Sequence, residues 1–566
     1  MAQRDAHDGL LSSTVQPDGS ADVVTLPTAG PASGRALVPG LWLIVLLGLP
    51  AAPVAAPPRD AAQAVNATPV EILTFHGDPA RTGWNRDERA LTPATVRPAA
   101  FGRLWTAPVD GEIYAEPLLA AGVPVGGTPR TVVYAVTEHD LVYAFDAAAG
   151  GRLWGPVSLG TPVSRADLPC GNIEPVGITS TPVIDRASST LYVAGLTTPD
   201  AGKTKVYTIA ALDLATGGMR SGWPVVIAPP VTSGLRFDPG VQQQRGALTL
   251  LRGVVYVPFG GYWGDCGNYH GWVVGVPIAS PSQQQAFVTP THREGGIWAA
   301  GGLAADAAGS LYAATGNSDS EAAVDLGNSV VRLATVPVLA FSGQPSDFFT
   351  PSNFVVLNQT DTDLGSTAPL VLPAQPESST PDLVFIAGKQ GVAYLVNRTT
   401  MGGLAHSGPI EGVYSGCLFG GCSGNGPKVF SAAAYWDGGS SGRLILVPGR
   451  GRQPAGCQGD GGVVALRLEA APGTRTSTFR VAWCGPSMLD PGAPSVSGVG
   501  PDGGLVWVVD TSAGVLYALN AATGAQVYAS FGQDGLGNTH RFITPAVANG
   551  RVYVSAASSI VSYGLR

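Results

Sequence analysis

The 566-residue chain is 45% hydrophobic and only 13% charged, with 77 Gly and 47 Pro, a composition of many turns and few long helices that points to an all-β fold. Its net charge of −8 is spread without blocks, and the absence of a concentrated Lys/Arg patch argues against a nucleic-acid surface.

Residues 1–34 are polar and aperiodic, with Asp5, Asp8, Asp18 and Asp22 against Arg4, and read as disordered. After Arg35, residues 36–56 hold an apolar core, Leu41-Trp-Leu-Ile-Val-Leu-Leu47, followed by small residues. That is the order of a secretory signal, with Ala62-Gln-Ala64 as a cleavage site. The alternative is an uncleaved anchor through residues 36–56, roughly 20 residues being enough to span a bilayer. Either way the bulk of the chain is expected to be secreted, periplasmic or in the cell envelope. The expected division is 1–64 as polar stretch plus signal or anchor, 65–100 as a leader, and 101–566 as the folded body. The six cysteines fit export. Cys457 and Cys484 flank one expected strand pair, Cys417 and Cys422 share a Gly-rich loop, and Cys170 and Cys266 remain; plain buried thiols are the alternative. No spacing resembles a zinc site.

From residue 101 the chain repeats itself. Residues 505–528, LVWVVDTSAGVLYALNAATGAQVY, read as two strands and the start of a third, separated by turns. The same wording recurs at 131–154 and, stretched by an insertion, at 190–223. Taking the large residue in the middle of the first run as a marker gives eight copies: Tyr134, Tyr192, Tyr256, Tyr312, Phe385, Leu446, Trp507 and Tyr553. Each is preceded and followed by another short β-run. A fourth strand ends near Trp154, Trp223, Trp483 or Tyr528. The last copy lacks it, and Phe101-Gly-Arg-Leu-Trp105 repeats the wording of the missing piece. The expectation is an all-β, eight-bladed β-propeller of four-stranded blades, closed by an N-terminal strand completing the last blade. In this reading the Trp residues pack between blades, and Asp146 and Asp213 cap turns.

The repeat Leu-Tyr-Ala-Leu-Asn-Ala-Ala-Thr-Gly (516–524) resembles that of the pyrroloquinoline-quinone (PQQ) propellers of the quinoprotein alcohol dehydrogenase-like superfamily, over residues 101–566. That superfamily includes non-catalytic envelope scaffolds as well as enzymes. Four further stretches resemble the dehydrogenases. Gly295-Gly-Ile-Trp298 looks like the segment whose Trp stacks on the quinone, and Leu311-Tyr-Ala-Ala-Thr-Gly-Asn317 like the strand whose Asn ligates calcium. Asp361-Thr-Asp363 falls where the catalytic base lies, and Lys389 of Ala387-Gly-Lys-Gln-Gly391 where a cation meets the quinone oxygens. The resemblance thus implies Asp361 and Asp363 as catalytic, Trp298 and Lys389 as cofactor-binding, and Asn317 as a metal ligand. Asp265 is the one carboxylate near the remaining ligand position, where Cys266 stands instead. In that chemistry an aromatic face holds the quinone, a cation polarises its carbonyl, and a carboxylate takes the alcohol proton. The chain departs from the pattern in having neither a Cys-Cys pair nor a Cys-x-x-Cys-His haem motif.

Each of these residues also has a structural reading: Asn317 as a turn residue, Trp298 as inter-blade packing, Asp361 and Asp363 as loop caps, Lys389 as a solvated turn residue. Glu174, Arg245, His292 and His540 are weaker loop candidates. The first expectation is therefore an exported propeller, reasonably a monomer, that binds a small molecule, glycan or envelope protein through its central face or long loops. Insertions at 334–383 and 402–428 are expected to build one rim. The alternative is a PQQ- and calcium-dependent dehydrogenase oxidising an alcohol or sugar.

Overall fold

The computed structural model describes residues 69–566, apart from 321–324, 405–412, 420–427 and 501–502. The signal or anchor reading of residues 36–56, and most of the 402–428 loop, lie outside those residues. Among the described residues no helix is long and apolar enough to cross a membrane.

Alternating apolar runs separated by Gly and Asx turns cannot form long helices; they pair with their sequence neighbours, and here they form eight sheets. Each sheet begins with a short strand along the axis: Leu118–Val125, Val183–Asp185, Thr249–Leu251, Ala304–Ala305, Leu370–Val371, Ala434–Asp437, Ser495–Ser497 and Ala546–Ala548. The next strands in sequence pair antiparallel outward from it. All eight marker residues are buried in the second strands. In the eighth sheet the strands Ala546–Ala548, Arg551–Ala556 and Ser559–Leu565 are followed by Phe101–Pro108, with Phe101 opposite Leu565 and Pro108 opposite Ser559.

The repeated turn is what ties one blade to the next. Asp146 Oδ1 accepts from the N–H of Ala148 and Ala149, and the turn ends at Gly150 with φ +72°. A Cβ on Gly150 would stand 2.6 Å from the Trp105 ring of the preceding blade, so only glycine fits there. The indole N–H of Trp105 donates to Ala147 O, that of Trp154 to Leu214 O and that of Trp483 to Ala521 O, each on the neighbouring blade's turn. Cys170–Cys266 and Cys457–Cys484 are disulfides, and Cys417 is also disulfide-bonded; Cys422 lies outside the described residues.

Residues 70–88, ahead of the first blade, touch every blade in turn. Ile72 bridges Leu119, Ile184 N donates to Leu73 O, and Thr74 Oγ1 to Leu248 O. Ala305, Val371, Tyr435 and Val496 donate their N–H groups to Pro79, Ala80, Thr82 and Gly83. Asn85 and Glu88 then reach Val547 O and Gly550 N. Arg81, 1% exposed, gives its guanidinium to Leu303 O, Thr74 Oγ1, Phe75 O, Leu248 O and Thr249 Oγ1. Phe75 packs with Ala247, Ala432 and Ala493 of three blades. The leader is thus a plug in the axial channel.

Candidate functional site

Above the plug lies a cavity of about 770 Å³, within the usual range of small-molecule sites. Its lining comes from all eight blades, with Tyr114, Asn172, Arg245, Trp298, Lys389, Phe430, Asp490 and His540 as one example from each. Phe75 of the plug stands behind the floor: with Tyr114, Arg245 and Phe542 it encloses a void of about 10 Å³, room for no more than one water.

All six residues singled out by the family resemblance line this cavity. Trp298 precedes the inner strand of the fourth blade; a Cβ on Gly260 would meet its Cβ at 2.7 Å, so a bare backbone lets the ring approach. Asn317 follows the second strand, Leu311–Ala314, and Gly295 N donates to its carbonyl. The 334–383 insertion folds into a helix, Phe354–Thr360, whose left-handed C-cap is Asp361 at φ +50°. Asp363 is fixed by Lys389 N donating to its carbonyl, and Lys389 sits in the hairpin turn between Leu383–Ala387 and Val392–Asn397. This insertion therefore does reach the rim of the cavity.

The side chains form one network. Lys389 Nζ lies 2.7 Å from Asp361 Oδ1 and 2.6 Å from Asp363 Oδ1, and 5.3 Å from the centre of the Trp298 ring. The Trp298 indole donates to Asp363 Oδ2 at 2.9 Å. Asn317 Nδ2 donates to Asp361 Oδ1, while its own Oδ1 accepts from Asn328. Burial alone would lower the Lys389 pKa, but the charges of Asp363 and then Asp361 outweigh it and hold the ammonium firmly protonated. Asp265 accepts from Tyr269 OH at 2.7 Å. Burial pushes Asp265 upward, and the charges of Asp361 and Asp363 add to that against the Tyr269 hydrogen bond. Glu294, ion-paired with Arg293, is pushed to about 7 by burial, with Asp265, Asp319 and Asp361 adding to the effect.

The oxygen donors are of the kind calcium takes, but the arrangement does not suit the ion. The Lys389 ammonium is already ion-paired with both Asp361 and Asp363, and among the described residues no three acidic, His or Cys side chains group closely enough to hold a metal. For a planar quinone, Trp298 offers an aromatic face, with Lys389 and, at 6.0 Å, Arg245 both near it.

The far wall was largely missed in the sequence. Arg450 Nε donates to Asp490 Oδ1 at 2.7 Å and Arg541 Nε to Asp490 Oδ2 at 3.1 Å, and both guanidinium carbons lie over the Phe430 ring, 5.3 and 5.9 Å from its centre. Arg245 and His540, read as weak candidates, do line the cavity; His292 pairs with Asp319 and Glu174 with Ser164 instead. A positional signal was present: Arg245, Phe430, Asp490 and Arg541 each lie four or five residues before an axial strand. Glu294 directly precedes the Gly295-Gly-Ile-Trp298 segment.

No family model and no curated protein matches the chain. Among solved structures it is similar to the quinohemoprotein alcohol dehydrogenase from Comamonas testosteroni, with 15% identity and a TM-score of 0.57 over 89% of this chain and 82% of that one. It is similar as well to a europium-containing methanol dehydrogenase, at 14% identity and a TM-score of 0.54 over 88% and 98% of the two chains. BamB from Moraxella catarrhalis gives 14% identity and a TM-score of 0.46 over 82% and 99%. The chain therefore has the eight-bladed fold of the PQQ-type propellers. At these identities the likeness concerns fold alone.

Proposed function

We propose that this chain is an exported propeller that binds a small polar ligand at one mouth of its axial channel. One observation carries the reading: side chains from all eight blades converge on a single cavity behind which the channel is plugged. Polar groups on independent scaffolds do not gather around a solvated concavity for stability, because each costs solvation as it is partly buried. The disulfides support export. A thermal-shift screen of the full chain, produced with its disulfides formed, against sugars, amines, carboxylates and alcohols tests the proposal. A ligand that raises the melting temperature of the parent chain but not that of Trp298→Ala supports it, and no shift from any class sinks it.

A second reading is a PQQ-dependent dehydrogenase, favoured by the meeting of Trp298, Asn317, Asp361, Asp363 and Lys389 at one mouth. The Lys389 ion pairs and the absence of a metal-sized acidic group among the described residues weigh against its calcium. Calorimetric titration with PQQ, with and without Ca²⁺, decides it: tight, calcium-dependent binding lost in Asn317→Ala would place this reading first.

A further inference from the structure

We infer that the ligand class of this mouth is carbohydrate, with Trp263 as the platform on which a sugar ring rests; the inference builds on the small-ligand reading above. Trp263 lines the cavity, yet it is 67% exposed, a large apolar surface left in water. The backbone of the loop that carries it is tied down. The Cys170–Cys266 disulfide ties it on one side, and Asp265, at φ +53°, donates its N–H to Tyr262 O in a tight turn. Tyr269 OH holds the Asp265 carboxylate, and Arg293 donates to Asp265 O at 3.0 Å. Trp298 has two cations near its ring and Phe430 has two guanidinium groups over its own; among the described residues Trp263 has neither a cation nor an aromatic partner.

The rest of the lining matches the other half of a sugar. Its acids, Asp265, Asp361, Asp363 and Asp490, are nearly balanced by Arg245, Lys389 and Arg541, and three of the four are already ion-paired. A strongly charged ligand would compete with those pairs at every charge of the lining but Asp265 and Arg245. What remains free both to donate and to accept includes Asn172 and Ser512, while the hydroxyls of Thr511 and Thr539, which already donate to Asp490 O and Thr511 O, can still accept. A pyranose carries C–H bonds on one face and hydroxyls around its edge, so it can lie on the indole while its hydroxyls enter the polar cavity.

The test is titration of the full chain with α-1,4- and β-1,4-linked glucose hexamers, a chitin hexamer and a xylan hexamer, followed by tryptophan fluorescence and heat. Spermidine, glutamate and citrate form a charged control set. The expected result is saturable binding of at least one saccharide, weakened roughly tenfold by Trp263→Ala and largely retained in Trp263→Phe, with the melting temperature unchanged in both. Saccharide binding indifferent to Trp263→Ala overturns the platform. Binding of a charged control but of no saccharide overturns the carbohydrate assignment and leaves the small-ligand reading standing. Binding of nothing in either set overturns the carbohydrate assignment, and the broader screen then decides the parent reading.

Discussion

Lys389 holds the candidate site in its present shape. Its ammonium is shared by a buried and an exposed carboxylate, and the buried one, Asp363, also takes the Trp298 N–H. Lys389→Met would leave Asp363 charged and 2% exposed without its cation. The expected cost is on the order of 3 kcal/mol, most of it recovered by adding Asp363→Asn, as read from urea unfolding of the single and double variants. A single variant as stable as the parent would show the pair to be ornamental. These residues were legible because short motifs carry them in a fixed order along the chain. Arg450, Asp490 and Arg541 were less so: the position of Asp490 and Arg541 ahead of an axial strand marks the mouth they face, but the contacts of Arg450 and Arg541 with Asp490 and Phe430 join positions far apart in sequence.

Among the elements, the leader separates what sequence can and cannot tell. The blades were legible because turn, apolar alternation and marker residue repeat; even the Trp-to-turn packing followed from the wording. Residues 70–88 have no period and little apolar content, and their role rests on backbone hydrogen bonds to six axial strands, with side-chain bonds to the other two blades, for which apolar periodicity carries no signal. Arg81 concentrates that role. Arg81→Met would remove a donor from the carbonyls of Phe75, Leu248 and Leu303 inside the channel; Leu248 O and Leu303 O keep the Thr74 and Thr249 hydroxyls, and Phe75 O is orphaned. An orphaned buried acceptor costs about 1 to 3 kcal/mol, and the lost bonds to Leu248 O and Leu303 O add to it, so the denaturation midpoint is expected to fall. Hydrogen exchange should then quicken in the axial strands of the third and fourth blades first. Unchanged exchange there would mean the plug is held by its backbone alone.

For the molecule as a whole, buried acids set the response to alkali. Burial pushes Glu116 to about 8, and burial and then the Glu138 charge push Asp140 to about 9; neither Asp140 oxygen has a hydrogen-bond partner. In the unfolded chain both titrate near 4, so the native state retains protons that the unfolded state has lost. Their contribution is complete below about pH 4 and shrinks as pH rises through 8 to 9. Between pH 7 and 9, where His76, lowered to about 3 by burial, is already neutral in both states, unfolding free energy should fall by up to about 1.4 kcal/mol per pH unit for each acid still protonated only in the fold. Guanidinium unfolding at several pH values checks this, and Asp140→Asn should flatten the slope; an unchanged slope would clear Asp140 of the effect. The plug adds a consequence in time. Val70 bonds to Asn549 across 479 residues of chain. A ribosome delivers residues at about 5 to 20 per second, N-terminus first. The segment at the centre of the ring therefore emerges ahead of every blade and is the last to find all its neighbours, and the sheets assemble around an occupant that precedes them.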